Sequence, residues 1–243
     1  MATYAMGDLH GYLEVLKKIQ AFLKPDDKVY FLGDACDRGP QSYECIKAIA
    51  EDPRFVYIKG NHEDMLVKAI KDYLDDDFMW DYQSYSLSSH NGGRATMEAW
   101  EWDPDRMKWY EYLRDLPTHV EYTNTLGMRI LLSHAGYTPY WSEPEADEDK
   151  ELIIPDDEHL IWNRDDYFDP WDPLNEGGYD DFLVVHGHTP VCYISEDLYI
   201  DWDSGPIWYA DGHKVCIDTG GFFMGEFCLL DLNTYQPYIF TKQ

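Results

Sequence analysis

Five short segments of the sequence place carboxylate, imidazole or amide side chains beside glycine, and each follows an apolar run. They are residues 7–11 (GDLHG), 33–40 (GDACDRGP), 59–64 (KGNHED), 133–136 (SHAG) and 185–190 (VHGHTP). One such segment is typical of an ordinary strand-to-helix connection, with glycine in the turn and Asp8 as a cap. Five in order instead indicate a metal centre, and oxygen and imidazole ligands without thiolate suit manganese, iron or zinc.

The candidate ligands divide into two sets that share one carboxylate. Asp8 and His10 stand two apart on an extended turn and can face one cation, which Asp34 can share with a second. The second cation would be completed by Asn61, His134 and one histidine of the pair His186 and His188. Two metals about 3.5 to 4 Å apart can hold a bridging hydroxide and stabilise an in-line displacement at phosphorus. The sequence therefore predicts a two-metal phosphoester hydrolase.

Four further residues supply the remaining groups that this chemistry needs. His62 adjoins the ligand Asn61, where a general acid could protonate the leaving oxygen, and Asp37 can orient its ring. Arg38 and Arg164 can contact phosphate in the bidentate manner of guanidinium groups.

The segments must be positioned by strands that end at one edge of a sheet. Apolar spacing predicts an alternating series of strands (2–6, 28–32, 55–58) and helices (12–23, 42–50, 63–74). Such a series favours a parallel sheet, whose carboxyl ends meet in one crevice. Later strands are predicted at 128–133, 182–186, 207–210, 214–218, 227–232 and 237–241. Because short turns join the last of them, antiparallel hairpins and a mixed or second sheet are expected.

Two segments have a marked composition without an evident chemical role. Residues 75–116 are rich in aromatic side chains, which at this density are expected to be packed core, with a helix after residues 91–93. Residues 143–158 are acidic and contain proline, which predicts a solvated loop.

The composition excludes several classes of protein. The chain has 243 residues, of which 44% are hydrophobic, so it can bury a full core and is not disordered. A formal net charge of −28 predicts that it binds neither nucleic acid nor membrane. Five cysteines without a CxxC pair predict a reduced, cytoplasmic compartment. Neither a leader peptide nor a membrane span is predicted.

The ordered motifs carry a resemblance to a known family. Gly-Asp-x-His-Gly, Gly-Asp-x-x-Asp-Arg-Gly, Gly-Asn-His-Glu, His-Ala-Gly and Gly-His-Thr resemble the phosphoprotein phosphatase family of calcineurin-like metallophosphoesterases. The likeness is greatest to its small bacterial and bacteriophage lambda type. Further matches at residues 91–93 (NGG), 161–164 (IWNR) and 217–220 (IDTG) extend the resemblance over nearly the whole chain.

The resemblance implies one catalytic domain, residues 1–243, with an α+β fold (α/β/β/α) in which a β-sandwich of mixed sheets is flanked by helices. It implies two divalent metal ions, manganese first, with iron or zinc as alternatives. One metal would take Asp8, His10 and Asp34, and the other Asp34, Asn61, His134 and His188. His62 with Asp37 would form the acid dyad, and Arg38 and Arg164 would bind phosphate. The family's ligand lies between glycine and threonine, which favours His188 over His186.

The expected activity is hydrolysis of phosphoserine and phosphothreonine in proteins by a cytoplasmic monomer, with attack by a metal-bridging hydroxide. Two alternative functions are open. The first is symmetrical diadenosine tetraphosphate hydrolysis, an activity found within the same family, which would use nearly the same ligands. A non-catalytic metal-binding module would be indicated by a missing ligand or acid, and none is missing. Since the acidic surface disfavours a polyanionic dinucleotide on encounter, phosphopeptides or small phosphoesters are the expected substrates.

Overall fold

The computed structural model describes residues 1–75, 91–137, 140–141, 152–153, 156–164 and 182–242. The first third alternates parallel strands with helices, as the apolar spacing predicts. Its elements are β1 (Thr3–Met6), α1 (Leu13–Phe22), β2 (Lys28–Phe31), α2 (Ser42–Ala50), β3 (Phe55–Tyr57) and α3 (Asn61–Leu74).

The remaining part is richer in antiparallel strands. The next elements are α4 (Gly93–Glu101), α5 (Arg106–Arg114), β4 (His119–Thr123), β5 (Arg129–Ser133), β6 (Tyr140–Trp141), β7 (Leu152–Ile153) and α6 (Asp157–Trp162). They are followed by β8 (Phe182–His186), α7 (Val191–Asp197), β9 (Ile207–Tyr209), a 3-10 turn (Ala210–Gly212), β10 (Lys214–Cys216), β11 (Glu226–Asp231) and β12 (Pro237–Thr241).

The strands form two five-stranded mixed sheets. The first has the order β12-β11-β1-β2-β3, and β1, β2 and β3 are parallel. The second has the order β4-β5-β8-β10-β9, and its three central strands are parallel. Strands β6 and β7 pair only with each other among the described strands. The predicted α+β class with two mixed sheets is confirmed.

Alternating side chains on each strand divide the core into layers. In β1, Ala5 faces the second sheet, whereas Tyr4 and Met6 face the helices. In β2, Tyr30 and Phe31 divide in the same way. This period of two packs the sheets face to face and leaves their outer faces to be covered by helices. The layers are therefore helix, sheet, sheet and helix.

Strand β4 and helix α7 are among the elements that were not predicted from the sequence. Strand β4 is the edge strand of its sheet and none of its residues is fully buried, so it lacks a strong apolar pattern. Helix α7 spans only 7 residues after Pro190, too few to show helical periodicity. The first residue of β4, His119, pairs with Ser133 beside His134, and α7 begins shortly after His188.

The two segments of marked composition are described only in part. Trp100 and Trp109 are buried, as expected, but Trp102 is 85% exposed; Trp80, Tyr82 and Tyr85 lie outside the described residues. The prediction of one loop over 143–158 is wrong at residues 152–153, which form β7, and from residue 157, where α6 begins. The rest of that segment, except residue 156, lies outside the described residues. Among the described helices, none is long and apolar enough to cross a bilayer.

Candidate metal centre

The candidate ligands all follow strands whose carboxyl ends meet at one edge of the sandwich. They follow β1 (Asp8, His10), β2 (Asp34), β3 (Asn61), β5 (His134) and β8 (His188). The backbone ties these turns together, since the amides of Leu9 and His10 donate to the carbonyl oxygen of Asp34 at 3.0 and 2.9 Å. Residues distant in sequence are thereby brought within a few ångströms of one another, as predicted for parallel strands.

The first cluster surrounds the ring nitrogen Nε2 of His10. This atom lies 3.8 Å from Asp8 Oδ2 and 3.7 Å from Asp34 Oδ2. The other ring nitrogen, Nδ1, donates to the carbonyl oxygen of Cys36 at 2.9 Å. That hydrogen bond fixes the tautomer in which Nε2 presents a lone pair, the usual arrangement of a metal-binding histidine.

The second cluster brings three nitrogen and oxygen donors together. His188 Nδ1 lies 3.0 Å from His134 Nε2 and 3.0 Å from Asn61 Oδ1. Asp34 Oδ1 is 3.4 Å from His134 Nε2, so this carboxylate reaches both clusters. His134 Nδ1 donates to the carbonyl oxygen of Leu32 at 2.7 Å, which orients its ring as Cys36 orients that of His10.

Divalent cations would satisfy the donor atoms of the two clusters better than the contacts among the donors themselves do. His10 Nε2, which faces the first cluster, is buried and has no hydrogen-bond partner among the described residues. In the second cluster two ring nitrogens, His134 Nε2 and His188 Nδ1, face each other at 3.0 Å. The imidazoles of His10 and His188 are both buried. Burial lowers the pKa of both imidazoles well below the usual value, so they are neutral at pH 7 and can coordinate a metal. Burial, followed by mutual repulsion of the carboxylates, raises the pKa of Asp34 well above its usual value. A cation between these groups would relieve that repulsion.

Several site residues hold an unfavourable backbone conformation. His10, Asp34, Asp37, Arg38 and His188 have φ values of 47, 61, 68, 62 and 67°. The left-handed region costs non-glycine residues free energy and persists only where the surroundings impose it. The concentration of such residues at these turns supports a functional reason for the geometry.

One glycine lets the two histidine-bearing turns approach each other. A Cβ atom at Gly187 would collide with Oδ1 of Asp8. That same oxygen accepts the amide of His188 at 3.0 Å. The small residue before His188 therefore allows the turn after β8 to close on the turn after β1.

His62 lies beside the first cluster with both ring nitrogens engaged. Nδ1 donates to Asp37 Oδ2 at 2.7 Å, and Nε2 lies 3.2 Å from Arg38 Nη2 and 3.7 Å from Asp34 Oδ2. Thr96 donates to the other oxygen of Asp37 at 2.7 Å, which fixes the carboxylate that orients the ring. His62 stands close enough to His10 and Asp34 for its Nε2 to serve as a ligand also, so its position alone admits both roles.

Arg38 and Arg164 both lie close enough to the clusters for their charges to act on residues there. Arg38 contacts His62, as described above, whereas Arg164 is exposed and donates to Thr189 Oγ1 at 3.2 Å, next to His188. Both guanidinium groups lower the pKa of the buried Asp218, although burial is the larger cause and raises it to about 6. Their charges therefore act across the same site.

Glu63 is a site residue whose role the sequence reasoning missed. Its buried carboxylate accepts the amides of Asp34, Ala35 and Gly60 at 2.8, 2.9 and 2.9 Å. It also accepts the hydroxyl of Tyr57 at 2.8 Å. These bonds hold Asp34 in its left-handed conformation, so Glu63 positions the carboxylate that both clusters share. Its place three residues after Gly60, at the start of a helix, is the signal that could have revealed it.

His186 does not face the clusters. Its Nε2 accepts the hydroxyl of Tyr209 at 2.6 Å, and its Nδ1 donates to the carbonyl oxygen of Gly187 at 3.0 Å. Both ring nitrogens are therefore used within the fold outside the clusters, whereas Nδ1 of His188 lies within the second cluster.

We expect His188→Ala to lower the number of bound Mn²⁺ ions from two to about one per chain, because it removes a nitrogen donor of the second cluster. His186→Ala serves as the matched control and should keep both ions. Metal content after gel filtration measures the difference. The opposite ranking of the two variants would contradict the assignment of His188.

The sequence profile of calcineurin-like phosphoesterases matches residues 1–232. The chain belongs to the calcineurin-like phosphoesterase family. This family of hydrolases depends on two metal ions, in agreement with the two His and Asp clusters that share Asp34.

Several curated relatives of this calcineurin-like phosphoesterase are named symmetrical bis(5'-nucleosyl)-tetraphosphatase. That of Pseudomonas fluorescens (strain Pf0-1) is 32% identical over 167 residues, covering 66% of this chain and 51% of the relative. That of Delftia acidovorans is 26% identical over 217 residues, covering 84% of this chain and 71% of the relative. The chain spans about half the length of most of the curated relatives it matches.

These names overturn the expectation of a protein serine/threonine phosphatase, which is wrong. The net charge of −28 is a sum over the whole chain. At physiological salt a charge is screened beyond about 8 Å, so this sum does not give the electrostatic potential at the site and cannot decide between substrates.

The solved structures agree on the fold. A structure described as that of a candidate diadenosine tetraphosphatase has a TM-score of 0.60 and 16% identity, covering 100% of this chain and 94% of that chain. Identity at this level shows the shared fold alone.

Proposed function

We propose that this phosphoesterase hydrolyses dinucleoside tetraphosphates symmetrically. The observation that carries the proposal is the match to relatives named for that activity, which extends over 84% of this chain in the Delftia acidovorans protein. In the reaction, water adds to one of the two central phosphorus atoms and the bond to the oxygen between them breaks. Two nucleoside diphosphates result.

In this proposal Asp8, His10 and Asp34 hold one divalent cation, and Asp34, Asn61, His134 and His188 hold the second, within a catalytic domain of residues 1–243. Oxygen and nitrogen donors without thiolate suit Mn²⁺, with iron or zinc as alternatives. Such a pair of cations lowers the pKa of water and neutralises charge on the phosphate.

The remaining site residues either act on the substrate or position the residues that do. Arg38 and Arg164 bind phosphate oxygens and so orient the central phosphorus atom over the clusters. His62, once its Nε2 is protonated, donates that proton to the leaving oxygen, while Asp37 holds its ring through Nδ1. Glu63 keeps Asp34 in place through the amides that it accepts.

We expect the Mn²⁺-loaded protein to have a kcat/KM for diadenosine tetraphosphate at least about tenfold above that for a phosphoserine peptide, a preference of about 1.4 kcal/mol. Chromatography of the nucleotide products should show ADP alone. A chelator-treated sample provides the control and should be inactive. Formation of ATP and AMP would contradict symmetrical cleavage, and faster peptide turnover would contradict the substrate class.

A further inference from the structure

An exposed apolar surface lies beside the candidate metal centre. It consists of Phe222, Phe223 and Met224, which follow β10, together with Tyr193 of α7; we call it the aromatic rim. These side chains are 39%, 47%, 43% and 53% exposed. The rings of Tyr193 and Phe223 lie 6.2 Å apart, so the surface continues from the turn to the helix.

The turn that carries the aromatic rim is held in place by hydrogen bonds. The ammonium group of Lys242 donates to the carbonyl oxygen of Phe222 at 2.7 Å. The amide of Met224 donates to the carbonyl oxygen of Gly220 at 2.8 Å, and the amide of Gly220 donates to Asp218 Oδ1 at 3.0 Å. The exposure of these aromatic side chains therefore belongs to an ordered turn, which reduces the entropy cost of binding a ligand there.

Phe222 joins the aromatic rim to the candidate phosphate-binding residues. The guanidinium carbon of Arg38 lies 5.6 Å from the centre of its ring, within the range of a cation–π interaction. The ring of His10 lies 6.5 Å away in an edge-to-face arrangement. A ligand whose phosphate contacts Arg38 can therefore place an aromatic group against Phe222.

We propose that a nucleobase of the substrate stacks on the ring of Phe222, so that this residue favours phosphates that carry a nucleoside over those that do not. The proposal rests on the proposed function, because symmetrical cleavage separates the base from the attacked phosphorus by one further phosphate and a ribose. The base must then lie outside the innermost residues of the site, and Phe222 lies there, next to Arg38. Stacking on an aromatic ring recognises the flat face that all nucleobases share.

The test measures binding of ADP and of pyrophosphate to the Mn²⁺-loaded full chain by calorimetry, because the two ligands differ by the adenosine group. We expect Phe222→Ala to weaken ADP binding about tenfold and to leave pyrophosphate binding within about twofold. Phe222→Leu retains apolar bulk without a ring and should resemble Phe222→Ala. Phe222→Trp restores a ring and should restore ADP affinity. Trp102→Ala removes an exposed aromatic side chain after α4 and serves as the control.

Equal weakening of both ligands by Phe222→Ala would overturn the proposal, since Phe222 would then act through Arg38. Unchanged ADP binding would also overturn the proposal, and the aromatic rim would then contact a different partner. The result is distinguishable from a failure of the proposed function. Ring-dependent ADP binding without tetraphosphate hydrolysis would reject only the activity, whereas hydrolysis with ring-independent ADP binding would reject only the stacking.

Discussion

Asp34→Asn is expected to lower kcat/KM for a dinucleoside tetraphosphate by about 10³-fold or more and to remove most bound Mn²⁺. Asp34 reaches both clusters, and its negative charge is the part that asparagine lacks. Asparagine has nearly the same shape and can still accept the amide of His62 through Oδ1, the contact made here at 3.0 Å. The loss of kcat/KM therefore measures the effect of removing the negative charge of Asp34. A loss of this size corresponds to several kcal/mol of metal-dependent stabilisation of the transition state.

The experiment combines metal analysis with steady-state kinetics. Asp26→Asn removes one negative charge at an exposed position and provides the matched control. Circular dichroism of both variants verifies that the fold is retained. Two bound metals with normal turnover in Asp34→Asn would show that Asp34 is not a shared ligand.

His62→Asn is expected to keep both metals and to lose turnover according to the leaving group. On an alkyl phosphate the loss should be about 10²- to 10⁴-fold, because the leaving alkoxide is strongly basic and needs a proton. On a dinucleoside tetraphosphate the loss should be smaller, since phosphate oxygens with a pKa of about 6 leave readily without a proton.

The ratio of the two losses separates the two roles that the position of His62 allows. Asp37→Asn should reproduce part of the alkyl phosphate defect, because Asp37 orients the ring through a bond of 2.7 Å. Loss of one metal in His62→Asn, with equal defects on both substrates, would make His62 a ligand instead of an acid.

The sequence was informative wherever a short pattern determines local geometry. Apolar spacing located β1, β2 and β3, and glycine beside Asp8, His10 and Asp34 marked the turns after them. The rule that parallel strands end at one edge then placed these residues together without any knowledge of distances. The choice of His188 over His186 came from the family resemblance, and spacing alone left it open.

What the sequence missed depends on contacts between distant segments. The partnership of His186 with Tyr209, and that of Phe222 with Arg38, join residues whose neighbours in the chain give no hint of each other. The substrate was misjudged for a related reason. The net charge does not say where the charged groups lie, whereas substrate recognition depends on the few charges within a screening length of the site.

The position of β1 in its sheet links the turn that carries Asp8 and His10 to a strand distant in sequence. β1 pairs with β2 on one side, but on the other side Tyr4 is opposite Asp231, near the far end of the described chain. Contacts so distant in sequence have a high entropy cost and form late in folding. The turn with Asp8 and His10 is therefore supported by a neighbouring segment, through the carbonyl oxygen of Asp34, and by a strand more than two hundred residues away. A substitution that weakens the pairing of β1 with β11 is expected to loosen this turn as well, although β11 carries none of the candidate ligands.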